Sequence, residues 1–130
     1  MRVWKGWLVL LAVGVLLAAC GGRAPDIEVE ITQHDFGVIE QGTVASLDVP
    51  VRNVGTEDLR IEAVSTSCGC TTATVEPQVI PPGGEGTLRI RYNSGLHPDS
   101  GPIRRDIFIA SNDPDEPEVV VVITAEVKAP

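Results

Sequence analysis

From residue 27 onward, apolar and polar residues alternate with a period of two, in runs separated by glycine, proline, asparagine and aspartate. This is the pattern of half-buried strands. Ile27, Val29 and Ile31 alternate with charged or polar neighbours, as do Leu47, Val49 and Val51, then Leu59, Ile61 and Ala63, then Leu88, Ile90 and Tyr92. Each run predicts a strand with one apolar face. Ile103, Ile107 and Ile109 lie around Phe108 in a further run. Val119 to Ile123 is β-branched throughout, which predicts a strand covered on both sides. No stretch carries a helical stripe. Turn residues fall at Glu40-Gln41-Gly42, Asn53-Val54-Gly55, Pro81-Pro82-Gly83-Gly84 and Asn112-Asp113-Pro114-Asp115. About seven short strands in about a hundred residues predict an all-β, immunoglobulin-like β-sandwich.

Pro50 interrupts one of these runs. Proline has no N–H to give to a ladder, so its strand is expected at a sheet edge or with a bulge there. An edge strand is also where a partner can add a strand of its own. The buried Trp and paired cysteines of antibody domains are absent from the domain, so the pattern gives architecture and not topology.

The segment before the domain has a different character. Arg2 and Lys5 open it, Trp7 to Leu17 form an apolar core, and Leu17-Ala18-Ala19-Cys20 close it before Gly21-Gly22. The core is short for a span, which takes about 20 apolar residues. The segment resembles the lipobox of bacterial lipoprotein signal peptides, against the competing reading of an uncleaved membrane helix. The resemblance implies cleavage before Cys20 and acylation of its sulfur. It divides the chain into a signal peptide (1–19), a lipidated cysteine and tether (20–26) and an immunoglobulin-like domain (27–130). The expected location is the cell envelope, outside the cytoplasmic membrane or on the outer membrane. Gly21, rather than Asp, resembles the outer-membrane case.

Removing residues 1–19 takes away Arg2 and Lys5 but no acidic residue, so the formal charge moves from −8 to −10. A domain this acidic is a poor ligand for nucleic acid and is repelled by anionic lipid. Membrane contact is therefore expected through acyl chains on Cys20, where stable anchoring takes two signals. Both Trp residues and the single Met leave with the signal, and Phe36, Tyr92 and Phe108 are the remaining aromatics.

A set of short motifs follows in order: Asp35-Phe36-Gly37-Val38-Ile39, Val51-Arg52-Asn53-Val54-Gly55, Leu59-Arg60-Ile61, Ser67-Cys68-Gly69-Cys70-Thr71, Ile80-Pro81-Pro82-Gly83 and Ser111-Asn112-Asp113-Pro114. Together they resemble the bacterial family called domain of unknown function 1573. The likeness runs from residue 35 to about 127, and the Ser67–Thr71 segment is its most specific part. It implies a fold like the Hydin-type immunoglobulin domains and leaves activity open.

Candidate chemistry centres on Cys68 and Cys70. With Cys20 acylated these are the only free sulfurs, and export permits oxidation. Two residues apart on a strand they project to one face with Cα atoms roughly 6.6 Å apart, near the limit for a disulfide, and Gly69 offers a bend. A bond closing so small a loop is expected to be readily reduced and a poor staple. Three readings stay open: an inert pair, a thiol-exchange pair, or a Cu(I) site on two thiolates. Zinc wants four ligands, and neither His34 nor His97 has a zinc-finger spacing to the cysteines. Each histidine alone reads as a surface or strand-end residue.

The acidic stretch Asn112–Glu118 lacks the Gly and Glu positions of an EF-hand and reads as a stiff, solvated connection. Arg104-Arg105 places one guanidinium on each face of a strand. No nucleophile elbow, zinc-protease motif or phosphate loop is present, so catalysis beyond thiol exchange is not expected. Two functional classes follow. One is a lipid-tethered binding or structural module for another envelope protein, and the other is an exported redox or Cu(I)-handling protein using Cys68 and Cys70.

Overall fold

The structure is a computed structural model and describes residues 22–130. The signal segment, Cys20 and Gly21 lie outside the described residues. Nine strands form among the described residues: β1 (Ile27–Val29), β2 (Gln33–Glu40), β3 (Val44–Asn53), β4 (Leu59–Thr66), β5 (Thr71–Glu76), β6 (Val79–Ile80), β7 (Glu85–Asn93), β8 (Gly101–Ser111) and β9 (Glu118–Lys128). They make a four-stranded sheet, β1-β3-β7-β5, packed on a five-stranded sheet, β2-β9-β8-β4-β6. None of the described residues forms a helix long and apolar enough to cross a membrane. The β-sandwich expected from the alternation is the fold, and its sides are closed by inward Val49, Val51, Leu88, Ile90, Ile107, Ile109, Val121 and Ile123, all fully buried.

Nine strands replace the expected seven or so because the first one is divided and because β5 and the two-residue β6 add to the alternating runs. After pairing with β3 as far as Val29, the chain crosses to the other sheet and runs parallel to β9 as β2. Pro50 sits where this happens. Its carbonyl accepts the N–H of Glu30 at 3.1 Å, so its polar backbone edge faces β1, just as that strand departs. The missing N–H therefore costs no bond to β7. Among the described residues, the half of β3 from Val44 to Val49 pairs with β7 alone and is a sheet edge, while Val51–Asn53 lies between β1 and β7, so the expected edge holds for one half of the strand only.

Two inward assignments change. A bulge between Ile61 and Ala63 sets two residues of β4 against one step of β8, and a one-residue slip moves Ala63 to the exposed face while Val64 turns in. Val119–Ile123 is not covered on both sides: Val121 and Ile123 are buried, but Val120 is 39% exposed on the outer face, across from Phe108. The run is β-branched because it is a central strand, not because a second layer covers it.

The sandwich has two ends. The chain arrives at one of them, beside Asn53 and the β8–β9 connection. Asn53 is fully buried. Its amide oxygen accepts from the N–H groups of Asp26 (3.3 Å) and Gly55 (3.0 Å), and its nitrogen donates to the carbonyls of Glu57 (2.7 Å) and Ile80 (2.9 Å). A Cβ on Gly55 would lie 2.3 Å from the Ala24 carbonyl oxygen, so glycine is required where the two segments cross. Asp113 was expected to be solvated and is instead 2% exposed. Its carboxylate accepts from the N–H groups of Ile27 (2.9 Å), Asp115 (2.8 Å) and Glu116 (3.1 Å). Burial alone would raise its pKa, but these three donors bring it below the ordinary carboxylate value. Those oxygens are committed to the backbone, which also argues against a calcium role.

Candidate functional site

Cys68 and Cys70 lie at the opposite end, in the turn joining β4 to β5 rather than on a strand. The turn brings their Cα atoms to 5.2 Å, shorter than the extended spacing expected above, and the sulfurs are bonded to each other. Gly69 is exposed, with nothing within 4 Å of a Cβ placed on it, so it is not what permits the closure. The turn is set by its own backbone. Thr71 N–H donates to the Cys68 carbonyl at 3.1 Å, and the Thr66 hydroxyl lies 2.8 Å from that carbonyl and 2.9 Å from the Thr71 carbonyl. Asn93 N–H then ties the Cys70 carbonyl to β7 at 2.9 Å.

The surroundings of the bond were not evident from spacing. Arg105 of β8 reaches across and donates from Nε to Cys70 Sγ at 3.2 Å, and from Nη2 to Asp99 Oδ2 at 2.9 Å. Asp99, in the loop between β7 and β8, also accepts the phenolic proton of Tyr92 at 2.6 Å. Both members of the Arg105–Asp99 pair are only 18% exposed, so their attraction is screened less than that of the surface pairs elsewhere. The guanidinium carbon lies 5.8 Å from the centre of the Tyr92 ring. Burial pushes the Tyr92 hydroxyl up to about 12, reinforced by its hydrogen bond to Asp99 and that residue's charge, and opposed by Arg105.

Three connections meet here. The Ser94 N–H donates to the Thr43 carbonyl at 3.0 Å and Gln41 Nε2 to the Asp99 carbonyl at 2.9 Å, so the β2–β3 turn holds the β7–β8 loop in place. Arg104 and Arg105 do diverge, one to each face. Arg104 pairs with Asp106 on the exposed side, and Arg105 turns in to the sulfur. The adjacent arginines were the one signal in the sequence; Asp99 and Tyr92 gave none.

Neither histidine joins the cysteines. His34 packs edge-on against Phe36 with ring centres 4.7 Å apart, and His97 is exposed in the β7–β8 loop. No group of three or more His, Cys, Asp or Glu residues comes together among the described residues. A Cu(I) ion would need the disulfide opened first, since soft ions bind thiolates. What the site offers directly is a charged donor on one sulfur of a disulfide.

Two sheets of this order, with a first strand shared between them, define an immunoglobulin-like β-sandwich. The chain belongs to the DUF1573 family, described as a protein of unknown function, whose model matches residues 27–127. Among solved structures it is similar to a protein of unknown function from Porphyromonas gingivalis W83, with 29% identity and a TM-score of 0.74. That likeness covers 86% of this chain and 51% of that one, so the chain spans about half its relative's length. The PapD-like domain 7 of human CEP192 is similar at 12% identity and TM-score 0.63, over 82% of this chain and 88% of that one. The YadV chaperone is similar at 18% identity and TM-score 0.55, over 79% and 52%. These last two share the fold. No curated protein matches the chain.

Proposed function

We propose that this protein is an exported module, held at a membrane by acyl chains on Cys20, that binds another envelope protein through the unpaired edge of β3. The observation that carries this reading is the half-strand Val44–Val49, paired on one side only because β1 leaves the sheet at Pro50. Antiparallel pairing alternates the direction of successive backbone groups. The register therefore turns the N–H and C=O of Val44, Ser46 and Asp48 outward, like the carbonyl of Pro50. An incoming strand could take up these groups. Exposed Val44 and Leu96 add apolar contact at the same end. That one solved structure with this fold is a chaperone supports a binding role without naming the partner.

The anchoring part is tested by metabolic labelling with an alkynyl fatty acid. Label should enter the full chain and vanish with Cys20→Ala, and the purified membrane form should show no indole fluorescence, since both Trp residues precede Cys20. The binding part is tested with a photo-crosslinking side chain at position 46 of the full chain in cells. A discrete protein adduct should form there, and Asp48→Pro should abolish it while leaving the circular dichroism spectrum intact, because Pro at 48 removes an outward N–H as Pro50 does. An adduct indifferent to Asp48→Pro would show that the edge is not the contact.

A further inference from the structure

The two sulfurs of the Cys68–Cys70 bond are not equivalent. Cys70 is 1% exposed within the core, whereas Cys68 is only partly covered. Cys70 Sγ receives the charged Arg105 Nε–H at 3.2 Å, and the Thr71 hydroxyl lies 3.6 Å from it. Among the described residues, Cys68 Sγ receives only the neutral N–H of Cys70, at 3.1 Å. Exchange requires an accessible sulfur for attack and a leaving sulfur able to carry negative charge. The first condition selects Cys68 and the second Cys70, because a guanidinium stabilises a thiolate more than an amide does.

We infer that this bond undergoes directional thiol–disulfide exchange, in which an external thiolate attacks Cys68 and Cys70 departs as a thiolate held by Arg105. The attacking electron pair forms the new bond to Cys68 Sγ, and the pair of the old bond stays on Cys70 Sγ. When the attacker is a dithiol, its second thiolate then attacks its own first sulfur in the mixed disulfide, forming the bond between the dithiol's two sulfurs and displacing Cys68 as a thiolate that takes a proton from water. The net result is one dithiol oxidised to its disulfide and Cys68 and Cys70 reduced. The substrate class is therefore an accessible dithiol, or in the reverse direction a disulfide. Asp99 tunes the step. It shares Arg105 through Nη2 at 2.9 Å and is itself held by the Tyr92 hydroxyl at 2.6 Å, so its charge opposes a second anion beside the same guanidinium. Arg105 and Asp99 are thus positioning residues for the leaving sulfur. The inference is independent of whether the β3 edge binds a partner.

The test uses the full chain in detergent with Cys20→Ser, so that only two sulfurs count. Cys70→Ser and Cys68→Ser versions are each loaded with thionitrobenzoate, and its release by dithiothreitol is followed by absorbance. Release from Cys68 should be at least about tenfold faster than from Cys70, and failure of Cys70 to accept the label counts as the same result. Equal rates, or faster release from Cys70, overturn the direction of attack. The Cys70 thiol of the Cys68→Ser version is then titrated by thiolate absorbance. Arg105→Gln should raise its pKa, and Asp99→Asn should lower it. In the disulfide form, reduction by dithiothreitol should slow about tenfold with Arg105→Gln and quicken with Asp99→Asn. Both substitutions break the same ion pair, so a merely structural role would move both measurements in one direction. That outcome, or no movement in either, overturns the role given to Arg105.

Discussion

At the end where the chain arrives, Asn53 and Asp113 bury their polar side chains to hold backbone groups; at the other end, Arg105, Asp99 and Tyr92 bury theirs to hold one another and a sulfur. The first arrangement uses partners that cannot change charge. Every bond made by Asn53 goes to a main-chain N–H or C=O, and losing it strands several of them in the interior. The second consists of ionisable side chains and a bond that can be opened, so altering one member alters the balance among the rest. Among the described residues no buried side-chain N or O atom lacks a partner, so both ends are fully satisfied. They differ in what satisfies them.

Breaking the first end should have the larger effect. Asn53→Ala removes four hydrogen bonds to buried or half-buried backbone and should cost about 3 kcal/mol. In thermal unfolding this should appear as a fall in Tm of about 10 °C or more; a fall of only a degree or two would mean water replaces the side chain. Asp113→Asn comes next, with about 1–2 kcal/mol lost at neutral pH as charge-assisted bonds become neutral ones. The pH dependence has a definite sign. Because the folded pKa of Asp113 is lowered, its contribution is present above the ordinary value of 3.8 and disappears as pH falls through the folded value. The wild-type protein should therefore lose stability in acid more steeply than Asp113→Asn, as measured by urea unfolding between pH 7 and pH 3.

The disulfide end should respond less. Replacing Cys68 and Cys70 together by serine opens a loop of only a few residues, and the entropic constraint removed from the unfolded chain is about 1.5 kcal/mol. A loss well above that in denaturant titration would mark the bond as a structural staple and equalise the two ends. The smallest effect is expected for Gly69→Ala, within about 0.5 kcal/mol, since the site is open and exposed. A larger loss would mean that the turn needs conformational freedom at this position after all.

The strands with bulky alternation were legible because their inward residues are unmistakably apolar: Val49 and Val51, Leu88 and Ile90, Ile107 and Ile109. β2 and β5 were not. β2 presents Gln33, Asp35 and Gly37 at a half-exposed sheet edge with a register shift between Asp35 and Val38, and β5 turns Thr71 inward beside Ala73 and Val75. Neither has the contrast between faces that periodicity detects. Pro50 announced its edge through a missing donor, a local property that sequence carries directly. Asn53, Gly55 and Asp113 were visible as motifs but not as a clasp, since their partners at Ala24–Ile27 are set by tertiary contact. The disulfide pole was half legible. The cysteines stood out, while Arg105 lies 35 residues from Cys70 and is brought to it only by sheet packing.

The divided first strand also decides how the molecule bears mechanical load. The segment before Ile27 leaves from one end, while β2 runs toward the other and lies parallel to β9, with Glu40 opposite Lys128. A pull on the N-terminal side, resisted at the C-terminal side, would slide β2 along β9 rather than peel it away. Its two stretches of pairing, Gln33–Asp35 and Val38–Glu40, would be strained together instead of rung by rung. Tugged in this direction, the domain would behave as a shear joint, giving way only when those rungs fail collectively.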